Sequence, residues 1–128
     1  VYRRPGRELV YASGGHPPAI LIGPALKEAV PIIPLRTESP PVGCLDEAVY
    51  RSSVQAVPSG SRLLVFSDGV FEIFRENEKV GTLEEFLASF KSSETKTLRP
   101  EERLNIARKI RGRDLLEDDF SLVELRFN

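Results

Sequence analysis

Short apolar runs separated by turn residues fill the first part of the chain, a pattern typical of β-strands. Pro5-Gly6 fits the two central positions of a type II turn and predicts a hairpin between the first two runs. The turn after Val57 is expected to return the chain, antiparallel, into the next strand. Residues 23–45 are proline-rich without any period, so an extended connection is predicted there. The first strands are predicted at residues 1–2, 8–12, 19–22 and 49–57.

The apolar run at residues 63–66 predicts a strand that is buried on both faces, and it ends abruptly in Ser67-Asp68-Gly69. A carboxylate at the C-terminal end of a rigid strand is well placed to bind a metal. Gly69 would let the backbone approach the bound group closely. Asp-Gly is also a common turn dipeptide, so an ordinary turn is the alternative.

After Gly81 the apolar period changes from two to 3.6 residues, which predicts helices. Thr82 followed by Glu85 is a capping-box pattern, and the apolar face of this first helix needs a sheet to pack on. A second helix is predicted from Pro100 to Gly112, with a broad apolar side that contains residues 104, 106, 107 and 110. Residues 120–127 alternate as a last strand whose positions 123, 125 and 127 share one face, with at least one of its faces covered.

The composition limits which binding partners and metal sites are possible. The chain has 128 residues, one domain at most, and its net charge of −1 offers no general attraction to nucleic acid or to an anionic membrane. Cys44 is the only cysteine and His16 the only histidine, which excludes an internal disulfide and a zinc site of several imidazoles or thiolates. Cys44 is interpreted as a small apolar filler. Any metal would have oxygen ligands, which favours magnesium, manganese or calcium. With no apolar run that could anchor it, the expected protein is soluble and cytoplasmic.

Acidic residues stand at two predicted strand ends. Asp68 closes one strand, and Asp118-Asp119 opens the last one. Neighbouring antiparallel strands lie about 4.8 Å apart, so these carboxylates could share one cation that offsets their repulsion. The alternative for Asp118-Asp119 is a solvated turn.

Four segments together resemble the C-terminal part of a bacterial PP2C-type (PPM) serine/threonine phosphatase domain of the SpoIIE/RsbU group. The resemblance implies an α+β fold, a PP2C-like layered sandwich of antiparallel β-sheets with flanking helices. It also implies two Mn²⁺ or Mg²⁺ ions and a metal-activated water that attacks phosphoserine or phosphothreonine. Its substrate would be a phosphorylated regulatory protein, an anti-sigma-factor antagonist or similar. The four segments are residues 13–18, 41–43, 67–72 and 118–123.

The same resemblance assigns roles to residues. Asp68 and Asp118 would be metal ligands, and Asp119 would orient the ligand or hold the loop. Gly69 would allow close approach of the backbone. Glu72 would cap the loop or be a solvated acid. For His16, proton transfer or phosphate contact competes with the preferred interpretation of a turn histidine that hydrogen-bonds backbone.

The resemblance is incomplete, because family domains carry an earlier Asp-x-x-Gly-His-Gly-like motif whose acid bridges both metals, and this sequence has none. Residues 1–128 are therefore expected to be a single partial domain, incomplete at its N-terminus, or a naturally shortened relative. One weakly held ion and little activity are expected of the chain alone. Its exposed edges are expected to favour self-association or pairing with the missing half. The alternative function is a non-catalytic PP2C-like regulatory or interaction module.

Overall fold

The computed structural model describes residues 1–24, 30–76, 78–91, 98–112 and 119–128. The described elements are short strands, two helices and one 3-10 turn. The helices are α1 Leu83–Ala88 and α2 Pro100–Arg111, and the turn is Asp68–Val70. The strands are β1 Tyr2–Arg3, β2 Glu8–Tyr11, β3 Ala19–Ile22, β4 Ile32–Leu35, β5 Ser53–Ala56, β6 Ser61–Phe66, β7 Phe74–Arg75, β8 Glu78–Lys79 and β9 Leu122–Phe127.

The strands form three sheets, with the orders β1-β2-β5, β4-β3-β6-β9 and β7-β8. The registers of β1 with β2, β2 with β5, β3 with β4 and β6, and β7 with β8 are antiparallel. The chain divides into two compact units, of which the first contains Val1–Val65 with Leu125–Asn128 and the second contains Phe66–Glu124. No helix of the described residues is long and apolar enough to cross a membrane.

The core of the first unit lies between two sheets. Leu9 comes from the three-stranded sheet, whereas Leu21, Leu35 and Leu63 come from the four-stranded sheet, and all four are buried. Val57 is 1% exposed in the same cluster. Because both sheets turn apolar side chains into one cluster, this unit is a sandwich of antiparallel sheets, as the family resemblance implied.

The predicted hairpin is present, but its type II turn is wrong. The Arg7 N–H donates to the Arg4 carbonyl oxygen at 3.2 Å, which closes the turn. The positive φ that a type II turn requires at Gly6 falls instead on Arg7, at 47°. A left-handed residue after the turn is common in three-residue hairpin loops. The Arg7 side chain is fixed by its Nε, which donates to the Val57 carbonyl oxygen at 3.0 Å.

Two predictions about the strands between residues 23 and 61 are wrong. The supposed extended connection contains β4, which pairs with β3 from Ala19↔Leu35 to Ile22↔Ile32. Its Pro34 is tolerated because β4 is an outer strand, where no ladder N–H is needed on the open side. The turn before β6 exists, but β5 pairs with β2 and β6 pairs with β3, so the turn passes the chain from one sheet to the other.

Strand β6 is buried in its middle, where Leu63 is 7% and Leu64 is 0% exposed. The prediction of burial on both faces fails at Val65, which is 38% exposed. On β9, Val123 and Leu125 are also exposed, while Phe127 packs on Tyr2 with 4.7 Å between the ring centroids. The apolar face of β9 is therefore covered at Phe127 only.

In the second unit both helices begin as predicted. Thr82 caps α1 through a reciprocal capping box with Glu85, and Gly112 ends α2 with a φ of 80°. The rings of Phe66, Phe86 and Phe90 form an edge-to-face chain with centroid separations of 5.1 and 5.2 Å, so α1 packs on the end of β6.

The predicted apolar side of α2 is only partly correct. Ile106 and Ile110 are 39% and 41% exposed, whereas Ala107 and Arg103 are buried. The Arg103 guanidinium lies 3.6 Å from the centroid of the Phe90 ring. A planar cation stacks well on an aromatic face, which lets an arginine be buried on the same helix face as Ala107, four residues later.

Candidate functional site

The candidate site begins where β6 ends. Asp68 opens a 3-10 turn, and its carbonyl oxygen accepts hydrogen bonds from the N–H groups of Phe71 and Glu72 at 2.9 and 2.8 Å. The Gly69 N–H lies 3.2 Å from Oδ1 of Asp68, to which it donates. Gly69 is buried while the Asp68 residue is exposed. The turn thus fixes the Asp68 backbone and leaves its carboxylate accessible to a ligand.

Ser67 connects this turn to the start of the last strand. Its hydroxyl donates to the Asp119 carbonyl oxygen at 2.6 Å and accepts from the Ser121 N–H at 2.9 Å. Its own N–H donates to the Ser121 carbonyl oxygen at 3.0 Å. The segment at Asp119 therefore lies beside the Asp68 turn, and the Asp119 residue is exposed. That the two carboxylates share a cation stays a prediction. Asp118, the other predicted ligand, lies outside the described residues.

Glu72 lies in the same turn region. Its carboxylate accepts a hydrogen bond from Lys79 and forms an ion pair with it. The cap on the Asp68 carbonyl comes from the Glu72 backbone N–H rather than from its side chain. The roles predicted for Glu72, Gly69 and Asp119 in supporting a metal site stay predictions.

His16 belongs to the first unit, and its residue is exposed. Its Nδ1 lies 2.9 Å from the Pro17 carbonyl oxygen, which can only accept, so this hydrogen bond places a proton on Nδ1. This is the contact expected of a turn histidine. In the neutral ring Nε2 then carries the free lone pair, so the predicted role in proton transfer would use Nε2. His16 also lines a cleft of 560 Å³ together with Leu63 and Val65.

The segment that carries His16 is held against residues 37–41 by hydrogen bonds and by one close approach. The Ser13 N–H donates to the Thr37 Oγ1 at 2.9 Å, and the Thr37 N–H donates to the Ser13 Oγ at 2.8 Å. A β-carbon on Gly15 would lie 2.6 Å from the Pro41 β-carbon, so the two loops approach too closely for any side chain there. Gly15 also has a φ of 78°, which favours glycine. The loop that carries His16 is thus held rigidly against residues 37–42.

Sequence reasoning did not find Ser67 or Thr37. Ser67 had a weak signal, since a serine before Asp-Gly is available to bond backbone. The sequence carried no signal for Thr37, because its hydrogen-bond partner Ser13 is 24 residues away.

The donor set fits a hard divalent cation in type, because the Asp68 carboxylate offers oxygen ligands. The number of ligands is too small for a complete metal site. Within the parts of the chain that the structure describes, no group of three or more His, Cys, Asp or Glu residues could hold a metal ion. The described residues alone therefore do not make up a metal site, and Asp118, a predicted ligand, lies outside them.

A family model supplies the identification. The model described as stage II sporulation protein E (SpoIIE) matches residues 1–128. The chain belongs to the SpoIIE family. No curated protein is significantly similar to this SpoIIE-family chain.

Solved structures agree with the family. The PP2C phosphatase domain of SpoIIE from Bacillus subtilis, solved with a fragment of its regulatory domain, has a TM-score of 0.69 at 17% identity. The phosphatase domain of the same protein, presoaked with Mn, has a TM-score of 0.65 at 16% identity. The RsbU and RsbW domains of a Mycobacterium tuberculosis protein give 0.60 at 20% identity. The expected PP2C-like α+β fold is thereby confirmed.

These matches cover nearly all of this SpoIIE-family chain but only part of the others. The chain is covered to 96%, 100% and 95%, in the order given above, and it spans 34%, 54% and 33% of the other chains.

Proposed function

We propose that this chain belongs to a metal-dependent protein phosphatase that hydrolyses phosphoserine or phosphothreonine on a bacterial regulatory protein of the anti-sigma-factor antagonist type. The observation that carries the proposal is the placement of Asp68 on a rigid turn whose neighbour Ser67 is hydrogen-bonded to Asp119 and Ser121. Membership of the SpoIIE family supports it, as does a structural relative that was presoaked with Mn. We further expect a cytoplasmic location.

In this proposal Asp68 and Asp118 hold Mn²⁺ or Mg²⁺, with two ions in a complete domain. Such ions activate a water for attack on phosphorus and offset charge on the phosphoryl oxygens. Ser67 keeps the two acidic segments in register, and Asp119 orients its neighbour. A role of His16 in proton transfer or phosphate contact would use Nε2, and the preferred interpretation is a turn histidine that bonds the Pro17 carbonyl oxygen.

The metal site is tested by titrating Mn²⁺ into the chain in a calorimeter. One weakly bound ion is expected, and Asp68→Asn should lower the affinity about tenfold or more, because a ligand costs at least as much as the groups that orient ligands. Asp46→Asn is the matched control, since it removes an exposed carboxylate from a loop of the first unit. Equal affinities of the chain and Asp68→Asn would reject Asp68 as a ligand.

Turnover by the chain gives a second test. With Mn²⁺ it should hydrolyse a small aryl phosphate poorly or not at all, because the sequence has no Asp-x-x-Gly-His-Gly motif. Robust turnover that Asp68→Asn abolishes would show that this motif is dispensable.

The alternative is a non-catalytic regulatory module. The presence of Asp68 and Asp118 at two predicted strand ends opposes it, since a module without chemistry has no need of carboxylates there. Reading the parent gene upstream of Val1 distinguishes the two, because only the phosphatase requires a further Asp-Gly pair at the end of a strand.

A further inference from the structure

The second unit contains a cavity of 370 Å³ that is lined by both helices and by the chain between residues 70 and 82. Its volume falls within the range of about 300–1,000 Å³ in which proteins bind small molecules. All the described residues that line it belong to the second unit, so the cavity lies within one compact part of the chain. Its apolar lining includes Val70, Phe71, Ile73, Val80, Phe86 and Ile106.

The lining of the cavity has a buried floor and an exposed rim. On the floor, Val70 and Ala107 are buried. On the rim, Val80, Ile106 and Ile110 are 37%, 39% and 41% exposed. Apolar surface is more stable out of water, so a molecule that fills the cavity gains free energy by contacting the floor and by covering the rim.

Two aromatic rings of the lining are held in place by a third ring. Phe71 and Phe86 both make edge contacts with the Phe66 ring, with 6.0 and 5.1 Å between the ring centroids. Side chains that are already ordered lose little freedom when a ligand contacts them. Aromatic pairs attract each other in offset or edge-to-face arrangements. The cavity therefore favours a ligand that itself contains aromatic rings.

The polar side chains of the described lining are already bonded within the chain. Nη1 of Arg103 donates to the Ser89 Oγ at 2.6 Å, and the Arg103 guanidinium stacks on the Phe90 ring. Thr82 and Glu85 bond each other in the cap of α1. A charged ligand would give up its hydration to enter mainly apolar surroundings, which is unfavourable without new partners. The ligand that fits this lining is therefore neutral.

The size of the lining favours a small molecule over a protein segment. A stable protein interface takes about 20–30 residues from each side. The described lining has 14 residues, and several of them are buried, where a flat protein surface does not reach. A small molecule can be enclosed by a lining of this size.

We propose that the cavity between α1 and α2 binds a neutral, apolar small molecule that contains aromatic rings. The ligand contacts Val70, which belongs to the 3-10 turn that Asp68 opens. It also contacts the ring of Phe71, whose N–H donates to the Asp68 carbonyl oxygen at 2.9 Å. The site therefore adjoins the turn that carries Asp68. Binding requires neither a metal nor the proposed phosphatase activity.

Fluorescence titration of the chain with N-phenylnaphthylamine tests the proposal, because this neutral probe brightens in apolar surroundings. A chelator is present throughout, so that the outcome does not depend on the metal site. Saturable binding of one probe per chain is expected. The matched probe is anilinonaphthalenesulfonate, which has the same ring skeleton with one negative charge and should bind about tenfold more weakly. Absence of saturable binding, or a sulfonate that binds as tightly as the neutral probe, would overturn the proposal.

A pair of leucine substitutions tests whether the probe occupies the cavity. Ala107→Leu fills part of the space with a larger side chain and should weaken probe binding about tenfold or more. Ala88→Leu is the matched control, since Ala88 is an exposed alanine of α1 outside the lining, and it should bind the probe as the unchanged chain does. Equal binding of the probe by the two variants would contradict the proposal.

A charge at the rim gives a test that leaves the buried floor unchanged. Ile110→Glu places a carboxylate at the mouth of the cavity, and it should weaken binding of the neutral probe about tenfold, because the carboxylate loses water when the cavity is filled. Leu45→Glu changes an exposed leucine of the first unit and should leave probe binding unchanged. If Ile110→Glu binds the probe as tightly as Leu45→Glu, the proposal is wrong. Far-ultraviolet circular dichroism verifies that each variant is folded.

Discussion

The clamp between the loops at Gly15 and Pro41 can be measured with two glycines that share a backbone conformation. Gly15 has a φ of 78° and Gly43 a φ of 83°, so an alanine at either position has the same left-handed strain. The surroundings differ, because a β-carbon at Gly15 would lie 2.6 Å from the Pro41 β-carbon, while nothing lies within 4 Å of one at Gly43. Comparing the two alanine variants therefore isolates the cost of the close approach.

Strain in the left-handed region costs about 1–2 kcal/mol for an alanine. Gly43→Ala should lower the free energy of unfolding by about that amount. Gly15→Ala should lower it by a further 1–3 kcal/mol, roughly, because the Pro41 segment must move to make room. Urea titration followed by far-ultraviolet circular dichroism measures both, with the m-value checking that the unfolded states are comparable. If the two variants lose the same stability within about 0.5 kcal/mol, the loops are not packed as described.

Three further predictions concern single contacts. Ser67→Ala should lower the free energy of unfolding by about 1–2 kcal/mol through the loss of two hydrogen bonds, and should weaken Mn²⁺ binding as well. Ser59→Ala, an exposed serine, is its control, and equal effects in urea titration would refute the Ser67 link. Thr82→Ala should lower the free energy of unfolding by about 1 kcal/mol, because it removes the cap of α1, whereas Thr82→Ser should largely retain the cap. Equal losses of stability by both variants in thermal melts would contradict the role of the Thr82 hydroxyl as the cap. The Arg99 N–H donates to the Glu102 carboxylate and lowers the pKa of Glu102. The hydrogen bond therefore stabilises the fold fully at a pH above the ordinary glutamate pKa range, and this stabilisation is lost as the pH falls through the lowered pKa. Carboxyl NMR titration should give Glu102 a midpoint below that of an exposed glutamate, and an ordinary midpoint would disprove the contact.

The features that sequence predicted best depend on neighbours along the chain. The α1 cap needs only Thr82 and Glu85, three residues apart, and the end of α2 needs only Gly112. The turn at Asp68 was also predictable, because the dipeptide Asp-Gly favours a turn without help from distant residues. Contacts of this kind join residues a few positions apart, so the spacing of residue types along the sequence is enough to predict them.

The predictions that failed depend on residues far apart in the chain. Strand β4 was missed because Pro34 argues against a strand at this position. The two neighbouring isoleucines form a strand only by pairing with β3. The hydroxyl of Ser67 was missed as the link between the two acidic segments, because its partner carbonyl is 52 residues away.

The sequence alone determined the family, the class of fold, the capped helices and the positions of Asp68, Asp118 and His16 in three of the four motif segments. Only the tertiary structure decided that β5 and β6 join different sheets, that Arg103 is buried against Phe90, and that Ser67 holds Asp119 beside the Asp68 turn. The physical reason is the range of the interactions. Caps and turns are satisfied within a few residues, whereas sheet partners, burial and hydrogen bonds between strand ends are chosen by packing among segments that the sequence does not place together.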